Sequence, residues 1–83
     1  MKIKYFAWVA EIIDKREEEI KVPDHVTDVN SLINFLCTMG ESYEAAFANR
    51  KQIKFAINQK LSRSNSKITN NDEVAFFPPM TGG

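Results

Sequence analysis

A single cysteine, Cys37, a single histidine, His25, and three glycines are the scarcities of this 83-residue chain. One cysteine excludes an internal disulfide and any Cys-rich metal site, because both need more than one thiolate. Such usage fits a reducing cytoplasm, the expected location. Gly40 sits at an expected helix end and the other two glycines are adjacent, at Gly82-Gly83, so no Gly-rich loop is available to cradle a phosphate. His25 stands between Asp24 and Val26 after Pro23, with no Ser or Cys placed by a motif to pair with it, and reads as a solvated loop residue. The chain also lacks the run of about 18 apolar residues that a membrane span needs, and its first residues show no basic stretch leading into an apolar run. Neither export nor membrane insertion is expected. Lys+Arg and Asp+Glu balance at 11 each without a cluster of basic residues along the sequence, so the electrostatic signature of a nucleic-acid or anionic-membrane binder is missing. The expected partners are proteins.

What is present suffices for one packed interior. Apolar residues make up 43% and aromatics 11%, with six Phe, too many for a disordered chain. A chain this short holds one core and buries about 60% of its unfolded surface. One domain over residues 1–77, followed by an extended tail over residues 78–83, is expected.

Strand period opens the chain, with Ile3, Tyr5 and Ala7 on one face and Lys2, Lys4 and Phe6 on the other. Trp8 to Ile13 follows as a short helical turn using Val9, Ile12 and Ile13 at i, i+3, i+4 spacing, and Asp14 to Glu17 connects it onward. Glu18, Ile20 and Val22 then share one parity before Pro23, which predicts an edge strand from Glu18 to Val22. The cluster Glu17-Glu18-Glu19 reads as a solvated edge that discourages strand addition.

Asp28 is a good N-cap for the clearest helix, which runs to Met39 with Val29, Leu32, Ile33, Leu36 and Met39 on one stripe and Gly40 as a left-handed stop. Cys37 borders that stripe and reads as a buried, inert thiol. A second short helix is predicted from Ser42 to Asn49, from Tyr43, Ala46 and Phe47 at helical spacing. Ile53, Phe55 and Ile57 alternate with Lys54, Ala56 and Asn58 as a third strand, which Asn58-Gln59 turns into a brief strand around Leu61. Ser62 to Lys67 reads as loop, Ile68 as a lone apolar anchor, and Asn70-Asn71-Asp72 as a turn in which Asn tolerates positive φ. The last strand, Glu73 to Phe77, ends at Pro78-Pro79, because proline cannot donate to a ladder and holds the chain extended. This order predicts an α+β fold of β-grasp type: a mixed five-stranded sheet, one main helix across it, and a flexible C-terminal tail.

Two successive glycines let a backbone thread a narrow channel and present the Gly83 carboxylate to a partner. From Pro78 to Gly83 an extended chain spans about 20 Å, and the prolines reduce the entropy lost when it is held straight. If Val74 and Phe76 face the helix, Phe77 faces outward with Phe6 and Leu61, an apolar set near the tail's root that predicts a partner face. Cover of that set by the shorter helices is the alternative.

The final block, Asp72-Glu73-Val74-Ala75-Phe76-Phe77-Pro78-Pro79-Met80-Thr81-Gly82-Gly83, resembles the ending of the small, sulfur-carrying subunits of molybdopterin synthase, a ubiquitin-like β-grasp family. In that family Asp-Glu-Val-Ala-Phe-Phe-Pro-Pro precedes two variable residues and Gly-Gly. Tyr5-Phe6-Ala7 with Glu11-Ile12-Ile13, and Ala56-Ile57-Asn58-Gln59, are similar to its opening and its hairpin, so the likeness runs nearly end to end. Asn71 stands where the family often has Gly, and Met80 where Val is common.

The resemblance implies that an E1-like adenylating enzyme, using ATP and Mg, makes the Gly83 acyl-adenylate, and that a sulfur donor protein converts it to a thiocarboxylate. It further implies that Pro78, Pro79, Met80, Thr81 and Gly82 insert into the large subunit, where the sulfur is given to cyclic pyranopterin monophosphate. Because the dithiolene product takes two sulfurs, a heterotetramer of two small and two large subunits is implied. The chain itself is then no enzyme alone and binds no cofactor or metal. Other readings are a sulfur carrier for thiamine thiazole, disfavoured by the paired prolines and Phe-Phe, and a ubiquitin-like protein modifier, disfavoured by the neutral Met80-Thr81. A plain interaction domain is the blandest of them.

Overall fold

Alternation in the first residues is realised as β1, Lys2–Tyr5, with Ile3 and Tyr5 buried. The computed structural model describes residues 1–79. β1 stops short of Ala7 for a hydrogen-bonding reason. Phe6 N–H donates to the Phe76 carbonyl at 3.0 Å, and the Phe6 carbonyl already accepts from Val9 N–H at 3.2 Å. That contact starts α1, Ala7–Ile13, and Ala7 takes φ 53° instead of continuing the strand.

β2, Glu17–Glu19, pairs antiparallel with β1 and is shorter and earlier than the parity of Ile20 and Val22 predicts. Ile20 N–H donates to the Met1 carbonyl at 2.9 Å, where the partner strand runs out. Beyond that point a side chain replaces the strand: Val22 N–H donates to Asn70 Oδ1 at 2.9 Å, and Asn70 Nδ2 donates to the Val22 carbonyl at 3.1 Å.

α2, Val29–Cys37, opens with a capping box in which Ser31 N–H donates to Asp28 Oδ1 at 2.8 Å and Asp28 N–H donates to Ser31 Oγ at 3.1 Å. Val29, Leu32, Ile33 and Leu36 are buried on the predicted stripe, but the helix ends at Cys37 and leaves Met39 40% exposed. Gly40 is not a left-handed stop. Its φ of 158° and ψ of 168° lie in a region open essentially only to glycine, and it occupies the N-cap position of α3, Glu41–Ala46. α3 is shorter than the predicted Ser42 to Asn49, and a 3-10 turn, Arg50–Gln52, follows it. Tyr43, Ala46 and Phe47 are buried as their spacing predicts.

β3, Lys54–Ile57, and β4, Lys60–Leu61, form a hairpin whose two turn residues, Asn58 at φ 50° and Gln59 at φ 70°, both have positive φ, as a type I′ turn requires. Asn70 and Asn71 do not use positive φ; among the described non-glycine residues only Ala7, Asp14, Asn58 and Gln59 do. Ile68 is buried, and its N–H donates to the Thr27 carbonyl at 3.0 Å. β5, Glu73–Phe77, completes a mixed sheet of order β2-β1-β5-β3-β4, in which only β1 and β5 run parallel. Val9 and Ile13 of α1, the α2 stripe, and Tyr43 and Ala46 of α3 share one core with Ile3, Tyr5, Val74 and Phe76 of the sheet. This is the β-grasp arrangement. Among the described residues, no helix is long and apolar enough to cross a membrane.

Candidate functional site

β5 lies at the centre of the sheet, bonded to β1 on one side and β3 on the other, and Pro78 follows it in the chain. Phe76 anchors this strand. It is fully buried, with Tyr5 stacked at 6.2 Å, Phe47 edge-on at 5.0 Å and Phe55 edge-on at 6.3 Å between ring centroids. The other end of the strand is tied as firmly: Glu73 N–H donates to Asn58 Oδ1 at 3.0 Å, and Asn58 N–H donates to the Glu73 carbonyl at 2.8 Å. Asn58 Nδ2 also donates to Asp72 Oδ1 at 2.9 Å, joining the hairpin turn to the turn before β5. Two bonded flanks and an aromatic anchor therefore hold the point from which the chain departs. Phe77 and Pro78 are half-buried there, and Pro79 is exposed.

Ladder register defines the face opposite the helices. Residues directly opposed across a pair share a face, so Leu61, Ala56, Ala75, Lys4 and Glu17 form one row across the sheet. Lys54 opposes Phe77 on the same side, away from the buried Phe76 and Val74. Phe6 follows Tyr5 in extended conformation and so turns to that side as well. Phe6 is 47% and Leu61 76% exposed. The two alanines leave a low floor between the larger groups, and Leu61 stands two strands from β5, about 10 Å away. α1 and α3 send their buried residues into the Phe76 side of the sheet.

A feature missed in the sequence is the environment of Glu18. It opposes Ile3, which puts its side chain on the core side, not in the solvated edge that its acidic neighbours suggest. Its Oε2 accepts from Tyr5 Oη and from Tyr43 Oη, each at 2.7 Å, and its Oε1 accepts from Lys15 Nζ at 3.4 Å. Burial alone would raise the Glu18 pKa; the bonds from Tyr43 and Tyr5 and the charge of Lys15 together outweigh it and hold the carboxyl below its usual range. Tyr5 is pushed well above an ordinary phenol by burial first and by Glu18 second, and Tyr43 is raised by the same two causes. One carboxylate thus fastens β2, β1 and α3 together. The only sequence signal for it was the shared parity of Glu18 with Ile20 and Val22.

Met80, Thr81, Gly82 and Gly83, which carry the expected chemistry, lie outside the described residues. His25 is exposed in its loop. Cys37, the last residue of α2, is half-buried against the core, not buried. Among the described residues, no three His, Cys, Asp or Glu side chains are grouped to hold a metal ion.

Comparison with known proteins extends this picture over the whole chain. The chain is 34% identical over 83 residues to the molybdopterin synthase sulfur carrier subunit of Escherichia coli, covering 100% of this chain and 99% of that relative. With the molybdopterin synthase sulfur carrier subunit of Haemophilus influenzae it shares 32% identity at the same coverage of each. Among solved structures it resembles the small archaeal modifier protein SAMP1 of Haloferax volcanii, with a TM-score of 0.75, 25% identity, and coverage of 100% of this chain and 98% of that one. The ThiS family model matches residues 3–83. With a match of that extent, the chain belongs to the ThiS family, sulfur-carrier proteins of the ubiquitin-like superfamily.

Proposed function

We propose that the chain serves as the sulfur-carrier subunit of a molybdopterin synthase, with Gly83 as the loaded residue. The observation that carries this reading is end-to-end likeness to two such subunits in a chain whose Asp72–Gly83 block contains the central strand. A carboxylate is a poor acyl donor because oxide would have to leave. An E1-like partner using ATP and Mg replaces it with an acyl-adenylate; a donor's persulfide sulfur displaces AMP to form an acyl disulfide, and a thiol then reduces that S–S bond, releasing the thiocarboxylate and leaving the donor in a disulfide. The ionised thiocarboxylate sulfur then attacks a carbon of cyclic pyranopterin monophosphate, displacing an oxygen substituent, and hydrolysis of the resulting thioester leaves the sulfur on the substrate and returns the Gly83 carboxylate. Each dithiolene consumes two loaded chains. Acid, base and phosphate-binding groups belong to the large subunit, into which residues 78–83 extend while Phe6, Leu61 and Phe77 meet its surface.

Intact-mass measurement of the protein purified from its native host tests the loading step. A fraction carrying the gain for one oxygen exchanged for sulfur is expected, and deletion of Gly83 should abolish that gain and sulfur transfer with unfolding unchanged. Phe77→Ser should weaken binding to the large subunit at least about tenfold, a hot-spot loss. Sulfur transfer by the deletion variant would overturn the assignment of Gly83, and unchanged affinity would remove Phe77 from the interface. The likeness to SAMP1 favours a second reading, a protein modifier. A ladder of heavier lysine-linked conjugates in place of the sulfur-bearing form would select it.

A further inference from the structure

Three of the chain's eleven cations, Arg50, Lys51 and Arg63, line one groove of about 540 Å³, and a fourth, Lys54, borders it while its side chain turns to the other face of the sheet. Its walls are Asn30 and Ile33 of α2, the 3-10 turn, the first residues of β3, and Ser62 to Ser64 beyond β4. No carboxylate lines it. The three ion pairs among the described residues, Lys2–Glu17, Lys4–Glu73 and Lys15–Glu18, involve none of these four cations. A chain of zero net charge therefore concentrates uncompensated positive charge in one place. Its acidic counterpart, Glu17 and Glu19, lies on β2 at the opposite edge of the sheet from β4.

Arg50 is also held ready. Its Nη1 donates to Asn30 Oδ1 at 3.0 Å and its Nη2 donates to Asn34 Oδ1, two neutral amides one turn apart on α2. These bonds orient the guanidinium fork without neutralising it, so little freedom remains to be lost when an anion binds. Phe55 is half-buried at the groove, adding an apolar contact below the cationic rim.

We propose that this groove docks a short acidic segment of a protein partner, with carboxylates on Arg50, Lys51 and Arg63 and an apolar side chain against Phe55. Charge complementarity calls for an anionic occupant, and the apolar contact favours a peptide. Nucleic acid draws its affinity from many phosphate contacts along a basic track, whereas these cations are confined to one edge of the molecule. Lys54 opposes Phe77 in the ladder, so the groove begins beside the root of the tail. The inference is independent of the sulfur chemistry, being read from the groove alone.

The test is an NMR titration of the full chain with a synthetic peptide of glutamates flanking one leucine. Saturable shifts confined to the amides of residues 50–54 and 62–64 are expected, weakening about tenfold from low to physiological salt. Arg63→Glu and, separately, Lys51→Glu should each weaken binding about tenfold, and both positions are exposed, so the fold is retained. Lys21→Glu makes the same charge change beyond β2 and should leave binding within about twofold. Absence of saturation, or equal loss in Lys21→Glu, would overturn the docking site. Tighter shifts of the same amides by inorganic phosphate or a single-stranded oligonucleotide would overturn the acidic peptide as occupant.

Discussion

Two of the four described non-glycine residues at positive φ, Gln59 and Ala7, explain local behaviour. Gln59 sits at φ 70° in the second position of the hairpin turn, where glycine is the preferred residue. A residue with a Cβ gives up about 1 kcal/mol there, partly offset by the greater freedom glycine has when unfolded. Gln59→Gly should therefore stabilise the protein by about 0.5 kcal/mol, read as a higher urea midpoint at unchanged slope. A lower midpoint would mean that the Gln59 side chain makes contacts that matter more than the strain. This turn was legible beforehand, because Asn at the first position is a strong type I′ signal. Ala7 was not, since alanine carries no chemistry that announces φ 53°. Its conformation follows from Phe6, whose N–H finishes a strand ladder while its carbonyl begins a helix.

Elements whose ends are set by neighbours in sequence were readable; those closed by distant partners were not. The start and stripe of α2 follow from Asp28, Ser31 and four apolar residues at helical spacing, all local. β2 ends where its partner strand runs out at Met1, and beyond it Asn70, 48 positions from Val22, takes over the backbone, which no local rule anticipates. Asn58 plays a similar connecting part for β5, accepting from Glu73 N–H and donating to Asp72. Asn58→Ala should destabilise by about 1–2 kcal/mol, because Glu73 N–H loses its acceptor. Hydrogen exchange should speed most at Glu73, the start of the strand that carries the tail, more than in α2. Uniform acceleration would argue instead for a global loss with no special role at that junction.

Taken together, the partly buried Glu18 carboxylate and its two phenols make the stability of the molecule depend on pH. Glu18 has a lowered pKa when folded, so its contribution is complete above the ordinary glutamate value of about 4.3 and is lost as pH falls through the lowered one. Tyr5 and Tyr43 are raised, so theirs is complete below about 10 and is lost as pH climbs toward the raised values. A plateau between these limits is expected in urea midpoint against pH, and Glu18→Gln should flatten the acid limb while lowering the plateau. An unchanged acid slope in that variant would place the acid sensitivity elsewhere. Strand and helix types, the hairpin turn, the exit at Pro78 and the Gly-Gly ending could all be read along the chain, because each depends on propensity, period or a motif within a few residues. The partners of Glu18, the amide that replaces a strand beside Val22, and the meeting of Arg50 and Lys51 with Arg63 could not. Those depend on which surfaces folding brings together, and burial and charge convergence exist only after distant segments have packed.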